Sequence, residues 1–246
     1  MTRAPIAALA PGERSLDGAL GHYLATVLRL RVGDALVGFD PASGKEADAV
    51  VVRADRHPAA LTVRFGALRD GAVRPDRRIT WIQGLAKGDK CETVVRDATE
   101  LGMTRFVVAA TSRSVVRLDA KRGAARRARW ARIAQESARQ SGRSEAPRVD
   151  APCAWSEALS RGAECVARFC LWEGATEPLG PLLFAALASG ASLAFACGPE
   201  GGLDEGEVAL AAAQGWAIAS LGPRALRTET VAAAVLGAVQ VWGWGR

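Results

Sequence analysis

The sequence predicts an α/β protein in two parts: a small β-rich N-terminal domain over residues 1–72 and a larger α/β domain with a largely parallel sheet over residues 73–246. Three observations lead there. Short apolar runs separated by turn residues fill the N-terminal part. From residue 79 onward, apolar runs of strand length alternate with amphipathic runs of helix length, the pattern of a parallel sheet covered by helices. Two glycine-rich segments, Gly198-Pro199-Glu200-Gly201-Gly202 and Leu221-Gly222-Pro223-Arg224-Ala225-Leu226-Arg227-Thr228-Glu229-Thr230, each follow a strand-like run and lead into a helix-like one. In an open parallel sheet, ligands bind beyond the carboxyl ends of the strands, where such loops meet helix N-termini.

In the first part, Ala35–Phe39, Ala47–Arg53 and Leu61–Phe65 are strand candidates, with turns at Gly33-Asp34, Asp40–Gly44 and Asp55–Pro58. Strands this short and evenly spaced suggest a small barrel. His22–Leu30 is predicted as a helix packed on it, and the polar segment Asp70–Asp76, with Gly71 and Pro75, as a linker. In the second part, Ile79–Leu85 is an apolar strand. Asp89–Leu101 is a helix with Asp89 and Glu92 spaced as a capping box and Gly102 at C′. Arg105–Ala109 is a strand, Lys121–Gln140 a long helix, and a loop runs through Pro147 and Pro152. Strands at Cys165–Trp172, Ala191–Cys197 and Trp216–Leu221 then alternate with helices at Pro181–Ala188, Asp204–Gln214 and Thr228–Val241. The last helix is apolar nearly all round over Val231–Val239, so it requires burial on several sides, by a second copy of the chain or by the monomer's own core.

The chain's 246 residues suit two unequal domains, and 49% hydrophobic content supplies a core. The net charge of +6 favours an anionic partner. Its distribution is more informative. Eleven basic residues lie between Arg113 and Arg148, Arg117 among them, opposed only by Asp119, Glu136 and Glu145. On a helix, Arg122, Arg126, Arg129, Arg132, Glu136, Arg139, Gln140 and Arg143 share an arc of roughly 140°. A nearly one-signed arc repels itself, so contact with nucleic acid is favoured over a merely solvated face. Five cysteines without a CxxC spacing read as free buried thiols. With His22 and His57 the only histidines, no metal site is expected. The apolar stretch Ile6–Ala10 is too short for a signal-peptide core, and no run approaches the ~20 apolar residues of a membrane span, so a cytoplasmic protein with no membrane partner is expected.

The first glycine segment is neither GxGxxG nor a phosphate-binding P-loop. It carries Glu200 and no following lysine, which disfavours a triphosphate and suits a ligand with a neutral or cationic portion; a purely structural strand-to-helix turn is the alternative. In the second segment, Arg224 and Arg227 could pair with phosphates or polarise a base. Glu229, in the first turn of the last helix, also suits the helix dipole alone.

Taken together, the segments His22–Asp34, Lys87–Gly102, Arg113–Val116, Trp130–Arg143, Gly198–Leu203 and Leu221–Thr230 resemble the ribosomal RNA small subunit methyltransferase E family, of the SPOUT class. The order and spacing of GPEGGL and LGPRALRTET before an apolar helix are the most specific part. The resemblance implies a PUA-like RNA-binding β-barrel at the N-terminus, a C-terminal α/β domain with a deep trefoil knot, and a homodimer. It implies S-adenosyl-L-methionine as cofactor and N3-methylation of a uridine, position 1498 in the usual numbering, of 16S rRNA in the 30S subunit.

By the same resemblance, Leu171, Trp172, Gly198, Pro199, Glu200, Gly201, Gly202, Leu221, Gly222, Leu226 and Thr230 would surround the cofactor. Arg224, Arg227 and Glu136 would serve catalysis. Arg29, Arg113, Gln140 and Arg143, with Arg122, Arg126 and Arg129 of the basic helix, would contact RNA. Ser112 stands where the family usually has Glu. Glu136, Glu229 and water remain as general bases. A SPOUT enzyme acting on another nucleoside and a non-catalytic RNA-binding protein are the other readings.

Overall fold

In the computed structural model, the described residues are 2–56, 59–71, 73, 75–116 and 119–243. His57 and Pro58 of an expected turn, Ala72 and Arg74 of the expected linker, and Arg117 of the basic segment lie outside them. The chain divides into two compact units, Met1–Arg74 with Ala138–Ala146, and Pro75–Ser137 with Pro147–Arg246.

The first unit holds β1 (Thr2–Pro5), β2 (Gly12–Leu16), β3 (Ala35–Phe39), β4 (Lys45–Arg56), β5 (Ala59–Phe65) and β6 (Arg69–Asp70). They form one sheet in the order β1-β3-β4-β5-β2, with β6 on β4. Strict alternation explains its packing: Ala47, Ala49 and Val51 of β4 and Leu61, Val63 and Phe65 of β5 bury one face with Leu24 and Leu36. The expected helix over His22–Leu30 begins earlier and stops sooner. It is α1 (Gly18–His22) continued by a π turn, Tyr23–Val27, and Arg29 closes it in the left-handed region at φ 55°. β1 and β2 carried no apolar alternation to reveal them; β2 is exposed at all but Leu16.

The segment Ala138–Ala146 joins this unit, although it falls within the expected 73–246 range. The reason is a buried charge. Glu46 is only 1% exposed. It accepts from Arg3 at 3.0 Å, Arg69 at 3.1 Å and the Ser144 hydroxyl at 3.1 Å. The Ser144 N–H donates to Val73 O at 3.2 Å, and Arg139 stacks its guanidinium on the Tyr23 ring at 5.3 Å.

The second unit is a three-layer α/β/α structure. Its strands are β7 (Ile79–Gly84), β8 (Arg105–Ala110), β9 (Arg148–Val149), β10 (Cys153–Ala154), β11 (Ala167–Leu171), β12 (Leu193–Cys197) and β13 (Ala217–Ala219). All pairings are parallel, in the order β10-β8-β7-β12-β11-β13, with β9 on β8. Its helices are α2 (Lys90–Glu100), α3 (Ala120–Gln140), α4 (Trp155–Gly162), α5 (Leu179–Ala188), α6 (Glu205–Ala213) and α7 (Thr228–Gly243). One sheet face carries Trp81, Phe106 and Phe195 against Trp130 of α3, Val94 of α2 and Val235 of α7. The other carries Ile82 and Val107 against Trp155 and Leu159 of α4 and Val208 of α6.

The N-termini of α6 and α2 differ. At α6, Asp204 and Glu207 form the reciprocal capping box. At α2, Asp89 is the N-cap without a side-chain bond: the Glu92 N–H donates to the Asp89 carbonyl at 2.8 Å, and the Glu92 carboxylate pairs with Arg129 at 2.6 Å. Gly102 does end α2, at φ 94°. The last helix buries one face, Ala232, Val235, Leu236 and Val239, against α2 and α5, and leaves Val241 and Trp242 at 74% and 46% exposure.

Glu46 makes the first unit acid-sensitive. Burial opposes its charge, but hydrogen bonds from Arg3 and Ser144 and the charges of Arg3 and Arg69 prevail and hold its carboxyl below the ordinary 4.5. A lowered pKa contributes stability that is complete above the unfolded value and lost as pH falls through the folded one. Glu46→Ala should destabilise the first unit by about 2 kcal/mol at pH 7, since it removes the acceptor of the buried Ser144 hydroxyl and the carboxylate that Arg3 and Arg69 share. Chemical denaturation as a function of pH checks this: the gap to wild type should close below pH 4.5.

Candidate functional site

The parallel register sets Gln83 of β7 beside Cys197 of β12, Cys197 beside Leu171 of β11, and Leu171 beside Ala219 of β13. Adjacent strands therefore end at one level, and their following loops leave from one edge of the sheet. Between those loops lies a cleft of about 590 Å³.

The floor of the cleft is organised by Gln83, fully buried at 0% exposure. Its amide nitrogen donates to Thr228 Oγ1 at 2.7 Å and to Gly198 O at 3.2 Å, and Thr228 Oγ1 donates to Gly198 O at 2.8 Å. Its amide oxygen accepts from Trp81 Nε1 at 3.2 Å and Cys197 Sγ at 3.3 Å. One side chain thus ties the first glycine loop to the start of α7. Burial pushes the Cys197 thiol up to about 12, so it lines the cleft as a neutral group.

The glycines differ in what they permit. A Cβ on Gly198 would lie 2.6 Å from the Gly202 carbonyl carbon, and one on Gly202, at φ 72°, would lie 2.5 Å from Glu173 Oε1. A Cβ on Gly201 would meet Arg113 alone among its nearest neighbours, with Cβ at 3.2 Å, Cδ at 3.6 Å and the carbonyl oxygen at 3.7 Å. The loop needs glycine at 198 and 202 for backbone on backbone and for a left-handed residue.

Charge around the cleft is separated. Glu200 accepts from the Lys87 N–H at 3.0 Å and pairs with Lys90 at 3.1 Å. Burial works against its charge, but the N–H groups of Glu200 itself and Lys87, with Lys90, hold its carboxyl below the usual range. Glu173 also lines the cleft, whereas Arg224 and Arg227 stand exposed at its rim. Neither guanidinium has a hydrogen-bond or ion-pair partner among the described residues. Leu221 and Leu226, 39% and 41% exposed, offer apolar surface beside them.

Of the residues expected around a cofactor, Leu171, Trp172, Gly198, Pro199, Glu200, Gly201, Gly202, Leu221, Gly222 and Leu226 all line this cleft. Thr230 does not line it; Thr228, two residues earlier, does. Glu136 is exposed on α3 and does not line the cleft either. Arg113 donates to Gly201 O at 2.8 Å, so it braces the first loop. Gln83, Lys90, Glu173 and Thr228 were not singled out from the sequence. For Gln83 a signal existed, a lone amide in an otherwise apolar strand.

The basic helix is less one-signed than its sequence. Arg122, Arg126 and Arg129 line a second, more open cleft of about 620 Å³ with Glu92 of α2. Glu92 lies 2.6 Å from Arg129 and 3.7 Å from Arg126. Arg29 and Gln140 are exposed in the first unit. Arg143 is buried there, 3% exposed, and burial pushes its pKa down to about 10 against the opposing charge of Glu145. Its position offers no exposed face to RNA. Among the described residues, no group of three or more His, Cys, Asp or Glu is placed to hold a metal, and no helix is long and apolar enough to cross a membrane.

A family model described as an RNA methyltransferase domain matches residues 74–240, and one described as an RNA methyltransferase PUA domain matches residues 16–64. The ribosomal RNA small subunit methyltransferase E of Bacillus subtilis is 32% identical over 92% of this chain and 88% of its own length. The chain belongs to the ribosomal RNA small subunit methyltransferase E family. The Mycobacterium bovis member is 36% identical over 92% of this chain and 85% of its own length. A crystal structure of the Neisseria gonorrhoeae member, bound to S-adenosyl methionine, superposes with a TM-score of 0.82 at 26% identity, covering 98% of this chain and 96% of that one.

The residues present fit that cofactor. Glu173 and Glu200 suit its cationic parts, the Gly198–Gly202 backbone leaves no room for intruding side chains, and Leu221, Leu226 and Trp172 provide apolar walls. Gly198→Ala should abolish binding of S-adenosylmethionine in calorimetry, because the added methyl collides with the loop's own backbone. Gly201→Ala should weaken binding by no more than about tenfold, since Arg113 Cβ at 3.2 Å need give only a few tenths of an ångström and the nearest backbone atom stays at 3.7 Å.

Proposed function

We propose that the chain is an S-adenosylmethionine-dependent methyltransferase that modifies N3 of a uridine in 16S rRNA of the 30S subunit. The observation that carries the reading is the cleft at the carboxyl edge of β12, β11 and β13, with two unpartnered arginines at its mouth. Membership of the family and the cofactor-bound Neisseria relative support it.

Bound in the cleft, S-adenosylmethionine supplies an electrophilic methyl group on its sulfonium. The chain's own residues do the rest. The two glycine loops, held by Gln83 and Thr228, orient the reacting centre and supply proximity. Uridine N3 is a weakly acidic imide that becomes nucleophilic on losing its proton. Arg224 and Arg227 stabilise the resulting negative charge on the uracil oxygens, as preorganised donors do at an oxyanion. Cofactor contacts fall to Leu171, Trp172, the Gly198–Gly202 loop, Leu221, Gly222, Leu226 and Thr228.

The first unit is read as a PUA-like barrel that engages RNA; its six-stranded sheet supports this. In the second, β12 inserts between β7 and β11 and β13 follows on the outer side of β11, a connectivity that supports a C-terminal knot. The exposed Val241 and Trp242 of α7 support a homodimer built on that helix. A 30S substrate would put the work in the cytoplasm.

Arg224→Ala and Arg227→Ala are each expected to lower single-turnover methyl transfer to 30S subunits by ~10²–10³-fold at saturating RNA and cofactor, comparable to loss of an oxyanion-hole donor. Lysine should rescue only partly, because a point charge lacks the guanidinium fork. Mapping the methyl group on the product RNA distinguishes N3 of uridine from any other acceptor. RNA affinity measured against salt tests the basic helix: replacing Arg122, Arg126 and Arg129 with Ala should flatten the log–log slope by about 0.7 to 0.9 per lost phosphate contact. An unchanged slope would leave that helix face out of the RNA contact.

A further inference from the structure

Two carboxylates from different loops converge on one ammonium beside the cleft. Lys90 is the first residue of α2 and lines the cleft, its side chain one-third exposed. Its Nζ lies 3.1 Å from Glu200 Oε1, in the first glycine loop, and 3.9 Å from Glu229 Oε2, in the first turn of α7. Glu229 Oε2 is sealed from solvent and has no hydrogen-bond partner. Its charge is answered by Lys90 alone among the described residues. Glu200 is anchored a second time by the Lys87 N–H at 3.0 Å, so Lys90 stands on a fixed base and reaches toward the second loop.

We infer that Lys90 is a positioning residue of the cleft, a clasp that ties the first glycine loop to the second at its mouth. The inference takes the identity of the ligand from the proposed function; the clasp itself rests on the geometry. Gln83 joins the same two segments from beneath, through neutral hydrogen bonds deep in the sheet. Lys90 joins them from the side, where a ligand enters. Without the ammonium, Glu229, 21% exposed with Oε2 sealed from solvent, would keep a half-buried carboxylate with no counter-charge, an arrangement that costs stability. The start of α7 would then move, and Arg224 and Arg227, just before it, would lose their placement.

The test uses the full chain as wild type, Lys90→Met, Lys90→Arg, Glu200→Gln and Glu229→Gln. Amide hydrogen exchange without ligand reads the loops directly. Lys90→Met should speed exchange in both 198–202 and 221–227, Glu200→Gln in the first only and Glu229→Gln in the second only. Calorimetry with S-adenosylhomocysteine, which lacks the sulfonium charge, reads the effect on binding apart from attraction to the sulfonium. Lys90→Met should weaken it about tenfold, and Lys90→Arg should stay within about threefold of wild type. Should Lys90→Met fail to fold, the two glutamine variants decide: their effects on affinity must be non-additive in the double variant if one ammonium joins them. Wild-type exchange and affinity in Lys90→Met, or additive glutamine effects, would overturn the clasp. Failure of the wild-type chain to bind S-adenosylhomocysteine would overturn the methyltransferase reading instead, and the exchange pattern would still judge the clasp.

Discussion

The buried amide of Gln83 is the interaction on which the site depends. It sits at the carboxyl end of a central strand, beneath both glycine loops, and bonds to Gly198 O and Thr228 Oγ1. A polar side chain in a fully buried strand is tolerated only when its donors and acceptors are met. Here the oxygen is met by Trp81 Nε1 and Cys197 Sγ, and the nitrogen by the backbone and hydroxyl of the two segments that form the cleft, so the requirement of the core is also what joins the loops. Glycines at 198 and 202 let the first loop come close enough for that bond, and Thr228 brings the last helix to it.

Charge organises the region above. Glu173 and Glu200 line the cleft together with the unpartnered Arg224 and Arg227, an arrangement for a ligand with a cationic part and an anionic partner. Glu200, read from sequence as a specificity element, is spent largely on holding the loop, through the Lys87 N–H and Lys90. Glu92 undergoes the opposite reassignment: it leaves its helix cap and neutralises part of the basic face of α3. In both cases the carboxylate takes a charged partner within reach, Lys90 for Glu200 and Arg129 for Glu92, and charge-assisted bonds are the stronger ones.

Much of this was legible beforehand. The alternation of strands and helices from residue 79 marked the parallel sheet, and ten of the eleven expected cofactor residues line one cleft because glycine loops after parallel strands leave from the same edge. Some failures were avoidable. Helix α4 carries Trp155, Ala158, Leu159 and Gly162 on one face at helical spacing, a pattern obscured by its position after two prolines. Strands β1 and β2 were not avoidable in the same sense, since edge strands with exposed polar residues have no periodicity to read. Thr228 rather than Thr230 lines the cleft, and spacing along a loop does not say which hydroxyl turns inward.

By itself the sequence determined the family, the parallel sheet, the two glycine loops and the concentration of arginine, because these reside in local pattern and residue type. Tertiary structure decided which partners the charged residues take. Arg143, a surface cation by sequence, is buried; Arg113 braces a loop through Gly201 O; Ala138–Ala146 joins the first unit through Ser144 and Glu46. Each outcome depends on a residue at least 88 positions away in the chain or on the depth of burial. Coulomb attraction and desolvation act through space, and neither distance nor depth is written in local order.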